Sequence, residues 1–533
     1  MSKVWLDQYA EHIKSEIEIP TMSVTDMFQE KTSIYKNHKA ISFYGKEYTY
    51  KEIGTQSASL ASGLQEEGIK KGDCVGLMLP NCPEYVISYY GIIQAGGIVV
   101  QINPMLVGQG LEHILKDSGV DTLLIYEPLL PVLNQVLENL NIKKIIKVNF
   151  EETKNEKIID FKQFIERLKK SPEPVDIDPD NDIAVLQYTG GTTGRAKGAM
   201  LTHFNILANI IQTYEYLQDE IILGEDSYLT VIPLFHVFGM TACMNLSIYT
   251  GAMSIMLPKF EVEEVLQTIK DLKPTMFPGV PTIYIALTNH PKTENYNLDS
   301  IRLCNSGSAP MPVELLKRFE KKTGATIVEG YGLSESSPIT HCNPIFSKRK
   351  PGSIGIGIGI PSTTYKVVDL ENGTKELPPD EAGELIIKGP QVMKGYWNMP
   401  EETEQTLRNG WLYTGDIASV DKEGYVYIVD RKKDLIIASG YNIYPRDVEE
   451  ILYQHSAIKE AVVVGIPDSY RGEIVKAVVV LKEGKTCSES ELINYCEFNM
   501  AAYKVSHIIE FREELPKSNV GKVLRRKVRE ENA

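Results

Sequence analysis

The chain has 533 residues, several times the usual domain length of roughly 100 to 200 residues, so more than one hydrophobic core is expected. Its hydrophobic fraction of 43% and charged fraction of 24% are ordinary for a globular protein and exclude a disordered, collagenous or membrane-embedded chain. The formal net charge of −15 disfavours nucleic acid as the main partner, so anionic ligands have to be held by local groups.

The cysteines and the N-terminal residues indicate a cytoplasmic protein. Seven cysteines are scattered without a CxxC pair, which is typical of reduced core thiols. The N-terminus alternates charged and apolar residues and lacks the apolar stretch of a signal peptide. Residues 237–258 are uncharged and long enough to span a bilayer, but they include polar residues such as Thr241 and Asn245. We therefore predict a buried helix followed by a buried strand.

The N-terminal residues alternate between strand and helix patterns. Residues 41–50, ISFYGKEYTY, predict a hairpin, and the apolar spacing of residues 51–69 predicts a helix after it. The β-rich stretches 74–81 and 91–104 bracket another helical segment, and this alternation predicts a largely parallel sheet covered on both faces. The acidic segment 176–182 is predicted to be a surface connector that leads into the strand IAVLQYT.

The composition changes after the segment VYIVDRKKDLI, residues 426–436. From there on, short β-rich segments alternate with helical ones, which predicts one compact α+β domain. The charged RKKD cluster interrupts two apolar strands, so we place the domain boundary near Lys432 and Lys433. The predicted class is α/β: a large N-terminal domain, residues 1–432, with several subdomains and mostly parallel sheets, and a small C-terminal α+β domain, residues 433–533.

The strand IAVLQYT runs into a loop rich in glycine and threonine, YTGGTTGRAKGAMLTH at residues 188–203. Glycines let backbone N–H groups approach phosphate oxygens, threonine hydroxyls add donors, and Lys197 supplies a positive charge. Ala196 and Gly198 stand where a Walker A loop needs Gly and Ser or Thr, which disfavours P-loop NTPase chemistry. The alternative is a flexible surface turn, but the position directly after a buried strand favours a phosphate cradle.

Two further patterns narrow the choice of function. Residues 352–361, GSIGIGIGIP, do not satisfy the dinucleotide fingerprint GxGxxG because Ile360 occupies the third glycine position, so a glycine-punctuated strand or turn is predicted. Neither a GxSxG elbow nor an HExxH helix occurs in the sequence, and hydrolase functions therefore lose their usual support.

Six motifs follow one another in a fixed order along the chain: YTGGTTGRAKGAMLTH from Tyr188, PLFHVFG from Pro233, EGYGLSE from Glu329, WLYTGD from Trp411, DRKKDLIIASGYNIYP from Asp430 and PKSNVGKVLRR from Pro516. In this order they resemble the motifs of the adenylate-forming acyl-CoA synthetases, and the region before Tyr188 is similar to that family only in its order of strands and helices. Together with KGPQVMKGYW, the first motif most resembles that of the bacterial long-chain fatty acyl-CoA ligases.

The resemblance implies a site for ATP with Mg²⁺. Tyr331 is expected to stack on adenine, Asp416 to accept hydrogen bonds from the ribose hydroxyls, and Arg431 to contact ribose and phosphate. Glu335 is expected to bind Mg²⁺ with help from Thr189. Without the family context, such residues are more often a core aromatic, a solvated charge or a surface ion pair, and an aspartate after a turn is commonly a turn cap. The implied nucleotide-binding set is Thr189, Gly190, Gly191, Thr192, Thr193, Gly194, Lys197, Ser308, Ala309, Pro310, Glu329, Gly330, Tyr331, Gly332, Ser334, Asp416, Arg431 and Lys522.

The resemblance also assigns catalytic and acyl-binding roles. Lys522 is the expected adenylation catalyst, supported by Lys197, whereas without the family match it is one solvated charge in the basic run KVLRRKVR. His236 is expected near the substrate carboxylate, where it orients the nucleophilic oxygen. The acyl tunnel is expected to be lined by His236, Phe238, Met240, Val280 and Gly307.

The expected reaction joins a fatty acid to coenzyme A with ATP as the energy source. The C-terminal domain is expected to pivot at Lys433 between adenylation and thioester formation and to present Ser439, Gly440 and Tyr441 to CoA. Candidates for the CoA phosphates are Arg446, Arg471 and Lys504. Alternatives are an aromatic or medium-chain acid CoA ligase, or an acyl-AMP ligase that loads a carrier protein. Membrane contact is expected to be peripheral at most, at the inner face, and a homodimer is an open alternative.

Overall fold

The computed structural model describes residues 9–10, 12–149, 159–166, 171–189, 196–309, 311–356, 360–438, 441–468, 471–500, 504–518 and 522–531. Several predicted site residues lie outside the described residues: Gly190, Gly191, Thr192, Thr193, Gly194, Pro310, Ser439 and Gly440. No helix among the described residues is long and apolar enough to cross a membrane.

The first sheet carries the acyl and adenine motifs. Within the described residues it has eight strands in the order β15-β14-β13-β12-β10-β11-β1-β2, parallel except for the end pairs β14–β15 and β1–β2. Its strands are β1 (Lys39–Phe43), β2 (Lys46–Thr49), β10 (Ser227–Thr230), β11 (Met253–Met256), β12 (Met276–Gly279), β13 (Leu303–Ser306), β14 (Thr326–Gly332) and β15 (Ile339–Cys342).

The second sheet carries the strand before the phosphate loop. Its eight described strands run in the order β19-β9-β8-β4-β3-β5-β6-β7, and only β8–β9 and β9–β19 are antiparallel. The strands are β3 (Cys74–Met78), β4 (Ile98–Gln101), β5 (Thr122–Tyr126), β6 (Lys144–Val148), β7 (Ile159–Asp160), β8 (Ile183–Thr189), β9 (Lys197–Thr202) and β19 (Gly395–Tyr396).

Two smaller sheets follow along the chain. The third, in the order β16-β22-β21-β18-β17 with β20 beside β21, is antiparallel. The fourth, β24-β23-β26-β25 with β27 parallel to β26, is confined to residues after Lys433. The strands are β16 (Gly355–Ile356), β17 (Thr364–Val368), β18 (Gly383–Lys388), β20 (Leu407–Arg408), β21 (Trp411–Val420), β22 (Tyr425–Arg431), β23 (Ile436–Ala438), β24 (Tyr441–Ile443), β25 (Ile458–Asp468), β26 (Gly472–Leu481) and β27 (Ile508–Phe511).

Local sequence accounts for where several helices begin. Capping boxes start α2 at Thr49 and α7 at Thr202, because each hydroxyl accepts the N3 backbone N–H and the N3 side chain returns a hydrogen bond. The helices are α1 (Val24–Ile34), α2 (Tyr50–Glu66), α3 (Pro83–Gln94), α4 (Gly108–Ser118), α5 (Leu130–Asn134), α6 (Phe161–Glu166), α7 (His203–Leu217), α8 (Leu246–Thr250), α9 (Val262–Leu272), α10 (Pro281–Asn289), α11 (Val313–Thr323), α12 (Pro400–Thr406), α13 (Pro445–Gln454), α14 (Glu489–Asn499) and α15 (Arg525–Glu530).

The predicted α/β class with mostly parallel sheets and a smaller C-terminal α+β unit is confirmed. The segment predicted as a buried helix and strand forms a π-helical stretch at Gly239–Asn245, then α8 and β11, and is almost entirely buried. The RKKD cluster runs from the end of β22 towards β23, and one hydrophobic core consists only of residues after Lys433, mainly from the fourth sheet, α13 and α14. The domain boundary near Lys433 and the mobility of the C-terminal domain stay predictions.

Candidate active site

Three of the predicted nucleotide-binding side chains come together, because Tyr331 of β14 and Arg431 of β22 both contact Asp416 of β21. Asp416 is the register partner of Arg431 across this antiparallel pair. Nε of Arg431 lies 3.0 Å from Oδ1 of Asp416, and the Tyr331 hydroxyl donates a hydrogen bond of 2.6 Å to Oδ2. The Asp416 side chain is buried. Two partners thus orient one buried carboxylate, as expected of a group that has to receive a ligand in a fixed geometry.

The Lys522 amine interacts electrostatically with Arg431 and Asp416. The positive charge of Arg431 lowers the pKa of the Lys522 amine to about 7, burial adds to this decrease, and Asp416 opposes it. The Lys522 backbone is anchored to Ser518, whose hydroxyl accepts from the Lys522 N–H at 3.2 Å and whose own N–H donates to the Lys522 carbonyl at 2.7 Å. An amine with this pKa is poised between its charged and neutral forms near pH 7, and a nearby polyphosphate would favour the charged form.

His236 is held in its neutral form with one tautomer favoured. Burial lowers its pKa to about 4, and the positive charge of Lys522 adds to the decrease. Nδ1 of His236 accepts a hydrogen bond of 3.2 Å from the Phe238 backbone N–H, which assigns the ring proton to Nε2. A neutral imidazole with its Nε2–H free of this contact can donate to a carboxylate oxygen without neutralising it.

Two of the predicted acyl-binding residues, Phe238 and Met240, lie at the start of the π-helical stretch that follows His236. Phe238, Met240 and Val280 are all buried, and Val280 directly precedes α10. A Cβ at Gly307 would lie 3.3 Å from the Phe238 ring, so the glycine leaves space beside that ring. π-Helical turns occur often at functional sites, because the extra residue redirects the side chains of the helix.

Because Gly239 has no side chain, the π-helical stretch can start close to the loop that contains Pro233. A Cβ there would lie 2.3 Å from the Pro233 carbonyl oxygen, which excludes any larger residue without a backbone shift. The Met240 N–H bonds to the His236 carbonyl at 2.9 Å, so the histidine and the start of the acyl-binding segment are one hydrogen-bonded unit.

The phosphate loop is closed by the antiparallel pair β8–β9, in which Thr189 is the register partner of Lys197. The Lys197 ammonium forms an ion pair with Glu402 of α12 and lies 5.3 Å from the centroid of the Tyr396 ring. Lys197 therefore already has an acidic partner, which the sequence analysis did not foresee. A phosphate ligand would have to compete with Glu402 for this cation.

Glu335 lies in a 3₁₀ turn, Ser334–Ser336, that packs against β8 and β9. Its Oε1 accepts a hydrogen bond of 2.7 Å from the Tyr396 hydroxyl. Tyr396 thus contacts both the predicted metal ligand and the predicted phosphate lysine. The role of Tyr396 was not predicted, and the signal available in the sequence was its place in the branch-typical motif KGPQVMKGYW.

The residues predicted on the adenine side offer mainly their backbone to a nucleotide. Ser308 has φ of +66°, and a Cβ at Gly332 would lie 2.0 Å from the Pro338 carbonyl oxygen. The buried Glu329 turns its carboxylate to the Gly352 N–H at 2.8 Å, and burial raises its pKa to about 7. A contribution of Glu329 to nucleotide binding therefore has to come from its backbone. Ala309 and Gly330 lie in the same two segments, after β13 and in β14.

The predicted hinge and CoA residues are spread over the C-terminal part. Lys433 is exposed, and Tyr441 starts β24. The candidates for the CoA phosphates already have partners: Arg446 bonds to the Ile428 carbonyl, Arg471 to His507, and Lys504 pairs with Asp447 at 2.5 Å. Each of these contacts would have to be exchanged for a phosphate, so none of the three candidates is favoured over the others.

The fold, together with the cluster of Tyr331, Asp416, Arg431 and Lys522, defines an adenylate-forming enzyme. The chain matches the family model of the AMP-binding enzymes over residues 28–397 and that of the AMP-binding enzyme C-terminal domain over residues 447–522. It therefore belongs to the AMP-binding enzyme family.

Within this family, the chain is similar to ligases that form CoA thioesters of carboxylic acids. The chain is 48% identical to a long-chain-fatty-acid–CoA ligase of Bacillus subtilis, over 99% of this chain and 98% of that protein. It is 37% identical to a long-chain-fatty-acid–CoA ligase of Escherichia coli, over 100% and 98% of the two chains. The crystal structure of an anthranilate CoA ligase in complex with anthranoyl-AMP superposes with a TM-score of 0.90 at 29% identity, over 96% of this chain and 98% of that one.

Proposed function

We propose that this protein joins a long-chain fatty acid to coenzyme A, with ATP converted to AMP and pyrophosphate through an acyl-adenylate. The observation that carries the proposal is the ion pair of Arg431 and Asp416, the two side chains expected at the ribose and phosphates, together with the C-terminal amine of Lys522, whose pKa both of them shift. The full-length similarity to long-chain-fatty-acid–CoA ligases supports the choice of acid.

In the first half-reaction, a carboxylate oxygen of the acid attacks the α-phosphorus of ATP. The new P–O bond forms as the bond to pyrophosphate breaks, and charge develops on the equatorial and departing oxygens. Lys522 and Arg431 offer cationic donors to these oxygens, while Asp416 receives the ribose hydroxyls. His236 donates its Nε2–H to the carboxylate oxygen that does not attack and so orients the nucleophile.

In the second half-reaction, the thiol sulfur of CoA attacks the acyl carbonyl. The C–S bond forms, the bond from carbon to the AMP oxygen breaks, and the thiol proton leaves to solvent or to a base. AMP is a good leaving group, which is the reason for forming the anhydride first. Lys522 has to withdraw to admit the thiol, so the residues after Lys433 change their position between the two steps.

The residues around Glu335 fit Mg²⁺. Its carboxylate is a hard oxygen ligand fixed by Tyr396, and Mg²⁺ is commonly held by one or two carboxylates together with substrate phosphates. When bound, the ion would neutralise part of the polyphosphate charge. Thr189, at the end of β8, is the proposed second contact, because the Glu335 turn packs against that strand.

A pyrophosphate-release assay tests the function. We expect release with ATP and palmitate, and palmitoyl-CoA by mass spectrometry when CoA is added. Lys522→Ala should abolish adenylate formation and spare ATP binding. Anthranilate and a medium-chain acid test the alternative acids, and a carrier protein tests the alternative acceptor. Absence of release with every acid would contradict the proposal.

The proposed location is the cytoplasm, with at most peripheral contact at the inner membrane face. Co-flotation with phospholipid vesicles measures that contact, and sedimentation at several protein concentrations measures whether the chain forms a homodimer. Strong flotation independent of fatty acid would contradict purely transient contact.

A further inference from the structure

Arg525 joins three carboxylates that come from both sides of the predicted hinge. Its Nη1 lies 3.2 Å from Oδ1 of Asp430 and 3.3 Å from Oδ2 of Asp434, and its Nη2 lies 2.7 Å from Oε1 of Glu449. Asp434, Glu449 and Arg525 follow Lys433 in the chain, whereas Asp430 precedes it in β22. The contact from Arg525 to Asp430 is therefore the one in this cluster that crosses the hinge.

Asp430 has a second contact across the hinge. Its Oδ2 accepts a hydrogen bond of 3.0 Å from the backbone N–H of Arg446, the second residue of α13. The first N–H groups of a helix have no partner within the helix, and an acceptor that supplies one stabilises the helix end. The Asp430 side chain is only 2% exposed, so it is enclosed by the residues that it binds. One carboxylate thus ties both α13 and α15 to β22.

The position of Arg525 connects this contact to the chemistry. Arg525 is the first residue of α15 and stands three positions after Lys522. Between them, the Leu524 N–H donates to the Pro516 carbonyl at 2.8 Å, and Lys517 and Val523 form a β-bridge. Because the backbone around Lys522 is tied into this short ladder, an anchor at Arg525 fixes where the Lys522 amine lies.

We propose that Asp430 and Arg525 are positioning residues for adenylation: their contact locks the C-terminal domain in the orientation that delivers Lys522 to the phosphates. The proposal rests on the proposed function, in which that domain turns about Lys433 between the two half-reactions. Turning breaks the link from Asp430 to Arg525 and to α13, and so releases Lys522 for the second step.

The cluster suits a contact that has to break in every cycle. A guanidinium left in a buried site without a partner is strongly destabilising. Arg525 keeps acidic partners, because Asp434 and Glu449 move with it. Asp430, on the stationary side of the hinge, becomes exposed to solvent when the C-terminal domain turns away. The charges on both sides of the broken contact therefore stay compensated.

Comparing the two half-reactions in variants tests this assignment. We expect Asp430→Asn to lower fatty-acid-dependent ATP–pyrophosphate exchange at least fivefold, and to leave the CoA-dependent consumption of synthetic palmitoyl-adenylate unchanged or faster. Glu449→Gln is the matched control: it weakens another Arg525 contact but stays on one side of the hinge, and its amide oxygen can still accept the Val463 N–H. Its exchange should fall less than twofold.

A second measurement does not depend on catalysis. Lys432 and Lys433 are exposed, so trypsin can reach the hinge. Cleavage there should be at least fivefold faster in Asp430→Asn than in the wild type or in Glu449→Gln. Equal cleavage rates, or an Asp430→Asn variant in which both half-reactions fall equally, would overturn the proposal. A wild type without exchange activity would refute the proposed function, and the cleavage rates would still decide the role of Asp430.

Discussion

The lowered pKa of Lys522 predicts a particular pH dependence for adenylation. In the free enzyme this pKa is about 7 because of Arg431 and burial, against an ordinary value of 10.5. The amine is then charged below pH 7 and loses its proton as the pH rises. If only the charged form is productive, the charged fraction and kcat/KM for ATP fall about fiftyfold between pH 7 and pH 9.

Bound ATP should reverse this shift. The phosphate charges favour the ammonium form, so the pKa of Lys522 rises in the complex and kcat stays nearly constant over the same pH range. ATP–pyrophosphate exchange at limiting and at saturating ATP, measured from pH 6 to pH 9 with a fixed excess of Mg²⁺ and palmitate, separates the two parameters.

Lys522→Arg is the control for this assignment, because a guanidinium keeps its charge throughout the range. We expect a slower enzyme whose kcat/KM no longer falls between pH 7 and pH 9. The reasoning is refuted if the alkaline decrease persists in Lys522→Arg, or if it appears equally in kcat for the wild type.

Other variants test the remaining parts of the site. His236→Gln keeps an N–H donor and should retain more exchange activity than His236→Ala, which should lose about tenfold. Because the pKa of His236 is about 4, the ratio of the two variants' activities should be constant from pH 6 to pH 8. Gly307→Val should lower kcat/KM for palmitate more than for octanoate, because even a Cβ would lie 3.3 Å from the Phe238 ring; equal losses for both acids would contradict this. Tyr396→Phe removes the hydrogen bond to Glu335 and should raise the Mg²⁺ concentration for half-maximal exchange about fivefold.

Elements with a strong local pattern could be predicted from the sequence. The hairpin at residues 41–50 appears as β1 and β2, and the helix after it begins at a capping box that Thr49 and Glu52 form within one turn. The strand before the phosphate loop appears as β8 with the expected bounds, Ile183–Thr189. In each case the signal lies within a few residues, so packing elsewhere in the chain did not have to be known.

The ordered motifs also predicted that Tyr331, Asp416 and Arg431 lie in one site, although Tyr331 and Asp416 are 85 positions apart in the chain. Spacing alone carries no such information, and the resemblance to a family supplied it. The acidic partners of two cations were missed: Glu402 is 205 positions from Lys197, and Asp430 is 95 positions from Arg525. An acidic residue in a short helix or at a strand end looks like a solvated surface charge until tertiary packing is known.

The ion pairs of Lys197 and Arg431 have a common physical reason. A cation that binds polyphosphate has to be stable before ATP arrives, and an unpaired ammonium or guanidinium in a partly buried site is unfavourable. Lys197 resolves this with Glu402 and the Tyr396 ring, and Arg431 resolves it with Asp416. Lys522 has no comparable ion pair among the described residues, and its pKa falls instead. Of these three cations, Lys522 is the one whose charge the fold compensates least, so its interaction with the phosphates of ATP should be the most favourable. Lys522 is also the residue expected to act at the α-phosphorus.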